Sequence, residues 1–255
     1  MKADKDLGSQ QHQLASMKYD LRITNLAKFL YSKVTRYTLH EKRYTLLDVG
    51  AGNGLFLKFF KSKGFKVSGY ELEAELVANM KKDPDLKGDT ILQGDITTMK
   101  GDAQYDVVIA SDVIEHIKDD VKAIRGLWSF VAPGGMLLIT VPAHSYLYGK
   151  RDEMWGHYRR YDQTLLLERI DSAVIQSEIL FATQWNIVGF FVYGFYEKIL
   201  HTSINENMRY SNSVASRIVR FILDLILKLE DHLGGVPLGL TLVVGRLKLN
   251  TTDHY

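Results

Sequence analysis

The segment Leu46-Leu47-Asp48-Val49-Gly50-Ala51-Gly52-Asn53-Gly54 constrains the fold of this 255-residue chain more than any other. An apolar run enters a turn with glycine at every second position, and a stretch readable as a helix, Leu55–Ser62, follows at once. Glycines there open the left-handed backbone region and remove the Cβ atoms that would keep a ligand off the main chain. A helix starting at Leu55 presents unpaired N–H groups that suit an anionic group such as a carboxylate or phosphate. Strand, glycine turn and helix in immediate succession predict the first unit of an α/β domain with a ligand at its opening turn.

The alternation continues downstream. Strands are predicted at 45–49, 66–70, 90–93, 105–110 and 136–141, and helices at 55–62, 73–82 and 119–131. A break falls at Asp83-Pro84-Asp85 and a turn at Pro133-Gly134-Gly135. The Val-Val-Ile-Ala core of 105–110 has the unbroken apolar character of a strand buried on both faces. Such a pitch predicts βαβ units and a parallel sheet. Upstream, apolar spacing at Leu21, Leu26, Phe29, Leu30 and Val34 predicts a helix over 17–37. A flexible leader at 1–16 precedes it, and the charged link His40-Glu41-Lys42-Arg43 follows. After Pro142 come a polar and aromatic loop (143–161), a helix (163–171) and strands at 177–184 and 241–247. The stretch of about fifty residues between those strands is too long for a bare connection. It reads as a helical insertion at 186–237 in a core formed by 17–185 and 238–248.

Hydrophobic residues make up 46% of the chain and charged residues 24%, which excludes wholesale disorder. The net charge is +2 with the two signs interspersed, so no basic stripe marks a nucleic-acid partner. There is no cysteine, which excludes disulfides, thiolate catalysis and cysteine-type zinc sites; no metal ligands are assigned. Residues 1–16 carry no apolar segment of the secretory kind, and a cytoplasmic location is expected. The longest apolar run, 187–196, is shorter than the roughly 20 residues that cross a bilayer. No transmembrane segment is predicted, and peripheral membrane contact stays open.

Further polar residues fall at strand ends. Glu71 ends the second strand, placed to accept hydrogen bonds from ribose hydroxyls. Gly94-Asp95-Ile96 ends the third, where a carboxylate beside an apolar residue can grip an adenine edge. Ser111-Asp112-Val113-Ile114-Glu115-His116 ends the fourth. Any one of these acids alone reads as a cap or a turn residue. Together they line the carboxyl ends of parallel strands, the rim where open α/β sheets bind ligands.

The set LLDVGAGNG, GYELE, QGDI, YDVVIASDVIEHI and APGGMLLITVP resembles the class I S-adenosylmethionine-dependent methyltransferases, over residues 46–142 and in the family's order. The resemblance implies a Rossmann-like seven-stranded sheet, parallel except for one strand, with helices on both faces and the insertion before the last strand. It implies S-adenosylmethionine as cofactor. Gly50, Gly52, Asn53 and Gly54 would then lie against its methionine and ribose parts, with Asp48 supporting the loop. Glu71 and Leu72 would hold the ribose, Asp95 and Ile96 the adenine, and Ser111, Asp112 and Val113 the region of the sulfonium and amino group. The family often has Cys-Gly-Thr where this chain has Ala51-Gly52-Asn53. The segment Gly156-His157-Tyr158-Arg159-Arg160-Tyr161 is similar to a GHxRRY segment in a bacterial subset linked to glycan or lipid pathways. That subset also has a helical insertion and a first helix with an aromatic residue and then arginine, here Tyr19 and Arg22, that would close over the cofactor.

Methyl transfer is an in-line displacement, so alignment of acceptor and methyl group is the main task, and a base is needed only for a protonated acceptor. His144 and His157 are the catalytic candidates, with His116 beside them; each reads equally well as a hydrogen-bonded strut. Arg159 and Arg160 suggest anion capture or a salt bridge to Asp152 or Glu153. In the insertion, Phe190, Phe191, Tyr193, Phe195 and Tyr196 precede an apolar helix with one polar stripe, Arg217, Arg220, Asp224, Lys228 and Asp231. Core packing, an apolar acceptor pocket, a dimer interface and a membrane contact all fit that pattern. The expected partner is a small-molecule or lipid-like acceptor, and the residues indicate no oligomeric state. Two rivals stand beside this reading. One is an NAD(P)-dependent oxidoreductase, which expects GxGxxG where this chain has GxGxG; the other is a cofactor-binding protein without catalysis.

Overall fold

A computed structural model describes residues 21–37, 44–99, 101, 104–200 and 214–250. The leader, residues 17–20 with Tyr19, the link His40-Glu41-Lys42-Arg43 and residues 201–213 of the insertion lie outside the described residues.

The sheet is built outward from its most apolar strands. Strand β1 (Thr45–Val49) runs parallel between β2 (Lys66–Glu71) and β4 (Tyr105–Ser111), with Asp48 opposite Gly69 on one side and Ile109 on the other. Strand β3 (Thr90–Gln93) extends the sheet beyond β2, and β5 (Val131–Pro142) extends it beyond β4. Strand β7 (Thr241–Lys248) lies antiparallel between β5 and β6 (Ser177–Trp185), giving the order β3-β2-β1-β4-β5-β7-β6. This is the Rossmann-like α/β sheet expected from the sequence, with β7 as its antiparallel strand.

Successive strand residues point to opposite faces, and each face has its own core. Leu46, Val107 and Ile109 pack on one side with Phe29, Leu30 and Val34 of α1 (Leu21–Tyr37) and Phe56, Leu57 and Phe60 of α2 (Leu55–Ser62). Leu47, Val108 and Ala110 pack on the other with Ile124 and Leu127 of α4 (Asp120–Ser129) and residues of the later helix 163–173. Helix α3 (Ala74–Lys82) links β2 to β3.

Two boundaries differ from expectation. The helix predicted over 119–131 begins under an Asp119 cap on the Lys122 N–H and ends at Ser129, because Val131 already pairs with Tyr105. The Pro133-Gly134-Gly135 turn is absorbed into β5, where the register shifts between Tyr105 and Val107 and Gly134 takes a φ of 74°. The loop after β5 also contains a short helix, α5 (Lys150–Met154), before α6 (Gln163–Ala173).

Beyond β6 the chain forms α7 (Ile187–Gly194), a π-helical turn (Phe195–Ile199) and α8 (Val214–Leu233). Glu230 of α8 accepts hydrogen bonds from the Asn186 and Ile187 N–H groups at 2.7 and 3.0 Å, tying α8 to the start of α7. Asp224, from the predicted polar stripe, accepts a bond from Asn25 of α1 at 3.0 Å. Leu227 enters the first core, whereas other apolar residues turn the other way: Phe221 is 70% exposed and Leu229 63%. Among the described residues no helix is long and apolar enough to cross a membrane.

Candidate cofactor and acceptor site

Strand β1 delivers the chain into the glycine turn. Gly50 has a φ of 75°, and its N–H bonds the Tyr70 carbonyl at 2.8 Å. A Cβ there would come within 2.5 Å of Val113 Cγ2, so only glycine lets Val113 pack against the turn. Gly52, at φ 55°, has nothing within 4 Å of where a Cβ would stand, which leaves its side of the turn open.

Glu71 joins this turn to the end of β2. One carboxylate oxygen accepts the Gly52 N–H at 2.7 Å; the other accepts Leu72 N–H at 2.7 Å and Glu73 N–H at 3.1 Å. Its backbone carbonyl receives the Gly94 N–H at 3.0 Å, which brings the third strand end alongside. There Asp95 is exposed and one of its oxygens caps Thr97, while Ile96 is buried in the second core. Leu72 is 59% exposed at the rim. Asp48 lies buried beneath the turn with Oδ2 lacking a partner. Burial, together with the negative charge of Glu71, pushes its carboxyl up to about 7.

On the β4 side, Ser111 Oγ and Thr140 Oγ1 are 2.8 Å apart. Asp112 adopts a φ of 54° and receives Arg22 Nη2 of α1 at 2.8 Å. Arg22 thus links α1 to the end of β4. The residues assigned to the cofactor gather at one rim, and their chemistry fits S-adenosylmethionine. Glu71 suits paired ribose hydroxyls, Arg22 and Asp112 offer opposite charges for the carboxylate and amino groups, and Gly52 leaves room. Replacing Glu71 by alanine is expected to weaken S-adenosylhomocysteine binding about 100-fold, since bonds to a charged acceptor are lost. Titration calorimetry measures this, with circular dichroism as the check on folding.

A second cluster follows directly along the chain. Glu115 is fully buried, and neither of its oxygens has a hydrogen-bond partner. Burial pushes its carboxyl up and Asp112 adds to the rise; its own backbone N–H, outside hydrogen-bonding geometry, and Arg22 and Arg160 oppose it. His116 and His157 face each other edge to face with ring centroids 4.6 Å apart. The His157 loop is tied down by the Tyr158 N–H on the Glu115 carbonyl at 2.8 Å.

His157 Nδ1 lies 2.8 Å from Asp152 Oδ1. Asp152 is the hub of this loop, for its other oxygen accepts Arg160 Nε at 2.8 Å and the Tyr193 hydroxyl of α7 at 2.9 Å. The Arg160 guanidinium also sits 4.1 Å from the Tyr193 ring centroid. Arg160 thus takes the salt-bridge alternative with Asp152, while Arg159 pairs with Asp120 at 2.8 Å instead of Asp152 or Glu153. The Tyr161 hydroxyl bonds the same Asp120 at 3.0 Å. His144 is placed apart from the cluster, with Nε2 3.0 Å from the Gly239 carbonyl and its ring against Phe190.

A family model described as a methyltransferase domain matches residues 21–177. The chain belongs to this methyltransferase family. Membership in this S-adenosylmethionine-dependent class sets the dinucleotide alternative aside. A ubiquinone biosynthesis O-methyltransferase from Rickettsia akari (strain Hartford) is 31% identical over 117 residues, 44% of this chain and 46% of the relative. The chain spans about half the length of the curated relatives it matches. Among solved structures, an S-adenosylmethionine-dependent methyltransferase from Mesorhizobium loti is 14% identical with a TM-score of 0.56, covering 86% of this chain and 98% of that one. Another, from Clostridium acetobutylicum ATCC 824, is 12% identical with a TM-score of 0.58, covering 91% and 93%. At those identities the likeness is one of fold.

Asp120, Glu115 and Tyr193 carry roles here that sequence reasoning did not assign, and Asp152 was offered only as a salt-bridge partner of the arginines. Each is an ordinary residue type in a polar loop or an aromatic run. The one available signal was Glu115-His116 at a strand end, which also describes a structural turn.

Proposed function

We propose that this chain transfers the methyl group of S-adenosylmethionine to a hydroxyl oxygen of a small or lipid-like acceptor. The cluster of Glu115, His116 and His157, next along the chain from Asp112 at the cofactor rim, carries this reading. A hydroxyl is a weak nucleophile until it gives up its proton, and converging basic side chains provide for that loss. The oxygen then attacks the methyl carbon opposite the sulfur. The C–O bond forms, the C–S bond breaks, sulfur keeps the electron pair and leaves as S-adenosylhomocysteine, and the hydroxyl proton departs through the cluster. Of the two catalytic candidates, His157 takes part in this step and His144 braces the loop. The remaining work is alignment.

The segment 186–237 supplies the acceptor side as a lid. A cleft of about 560 Å³ lined by Phe190, Phe191, Phe195 and Ile199 suits an apolar portion of the acceptor. From the same helix Tyr193 reaches Asp152, which couples that side to His157. The O-methyltransferase names of the curated relatives support the choice of oxygen. The test offers the protein S-adenosylmethionine with an alkyl-chain catechol or the matching alkyl amine, and follows products by mass spectrometry. A methyl ether is expected from the catechol. Methylation of the amine alone would overturn the reading, and no turnover with either would favour a non-catalytic binder.

A further inference from the structure

The geometry points to a binding site for one divalent cation of the zinc type formed by Glu115, His116 and His157. What such a cation would do rests on the function proposed above; whether it binds does not. The sequence assigned no metal, because His157 stands far along the chain from Glu115-His116.

Three observations converge. First, the Glu115 carboxylate is wholly excluded from solvent with both oxygens unpartnered. Protonation does not resolve this, since the resulting O–H would also need an acceptor, whereas a cation satisfies the group outright. Second, one ligand atom from each of the three residues lies within 4.8 Å of the others. Zinc holds nitrogen and carboxylate ligands at about 2.0–2.2 Å, which sets neighbouring ligand atoms roughly 3.3–3.6 Å apart. Closing the site takes an approach of only about 1 Å, within the reach of small side-chain rotations.

Third, the surroundings are those of ligating histidines, which normally give their second nitrogen to a carboxylate or a backbone carbonyl. His157 gives Nδ1 to Asp152 and keeps Nε2. The Trp155 and Gly156 main chain lies beside the His116 ring. Two imidazoles and one carboxylate select zinc and its transition-metal neighbours over magnesium or calcium. Three protein ligands leave a fourth position open, and His116 lies on the exposed side of the cluster. A hydroxyl oxygen held there loses its proton more readily, so the cation would let the cluster activate the acceptor without itself serving as the base.

The test uses the tag-free, chelator-stripped full chain and zinc chloride alone in titration calorimetry, with bound metal counted by elemental mass spectrometry. Cobalt chloride provides a visible ligand-field spectrum as a second readout. Uptake of one ion per chain is expected, with affinity falling tenfold or more in His116→Ala and in Glu115→Gln and S-adenosylhomocysteine binding retained. His116 is exposed, so its variant keeps the test sharp if Glu115→Gln folds poorly. No stoichiometric uptake by the wild-type chain, or equal uptake by His116→Ala, would overturn the site. Methyl ether formation that survives chelation, in a chain without uptake, would remove the cation and leave the proposed function standing.

Discussion

Asp152→Ala should lose about 3–5 kcal/mol of stability, because it leaves the Arg160 guanidinium buried without its counter-charge. Arg160 is only 5% exposed, and Asp152 1%. Burial alone would raise the Asp152 carboxyl, but bonds from His157, Arg160 and Tyr193 outweigh it and hold the group far below the usual carboxylate range. The wild-type side chain is therefore ionised, and removing it strands four donors at once, the Gly149 N–H among them. For a chain of this size the loss corresponds to a fall of roughly 10 °C in Tm. Turnover should drop about 10–100-fold as well, since His157 loses the carboxylate that fixes its ring. Asp152→Asn, which keeps an acceptor but not the charge, should fall between. Urea unfolding and initial rates measure both effects. An alanine variant as stable as wild type would show that Arg160 finds its balance elsewhere.

Asp48→Asn should change how stability depends on pH. In the unfolded chain the carboxyl titrates near 3.8, and in the fold near 7. Between those values the folded chain holds a proton that the unfolded chain has released. Stability from this group is therefore greatest below about pH 4, falls as pH rises toward 7, and is level above. The separation is worth on the order of 4 kcal/mol. An uncharged asparagine does not titrate, so the variant's loss between pH 4.5 and pH 7.5 should shrink by up to that amount. The slope is the readout, because the asparagine amide brings its own hydrogen-bonding needs to a buried site. An unchanged slope would place the proton on another group.

What the sequence disclosed follows from where local pattern and tertiary demand agree. Strands β1 and β4 are buried on both faces, so their apolar runs were legible. The glycines of the turn after β1 take backbone angles that other residues resist, and this marks them in any sequence. Val131 went the other way: it follows a helix directly and looks like its last turn until Tyr105 pairs with it. Helix α8 was legible as a helix but not in its orientation. Its pattern left core packing, an acceptor pocket, a dimer interface and a membrane contact open; Asp224 turns to Asn25 while Phe221 and Leu229 face outward. The Asp152 hub was the least visible. Its partners, His157, Arg160 and Tyr193, converge through the path of the loop and α7, and no spacing rule anticipates that.

Trp185 and Thr241 stand opposite each other across the β6–β7 ladder. The excursion between them departs and rejoins at one point, so its length places no demand on the strands. Doubling such a loop adds only about 0.6 kcal/mol of closure entropy. The excursion also grips the core through Tyr193 on Asp152 and Asp224 on Asn25, so a substitute of any length would have to restore those two anchors.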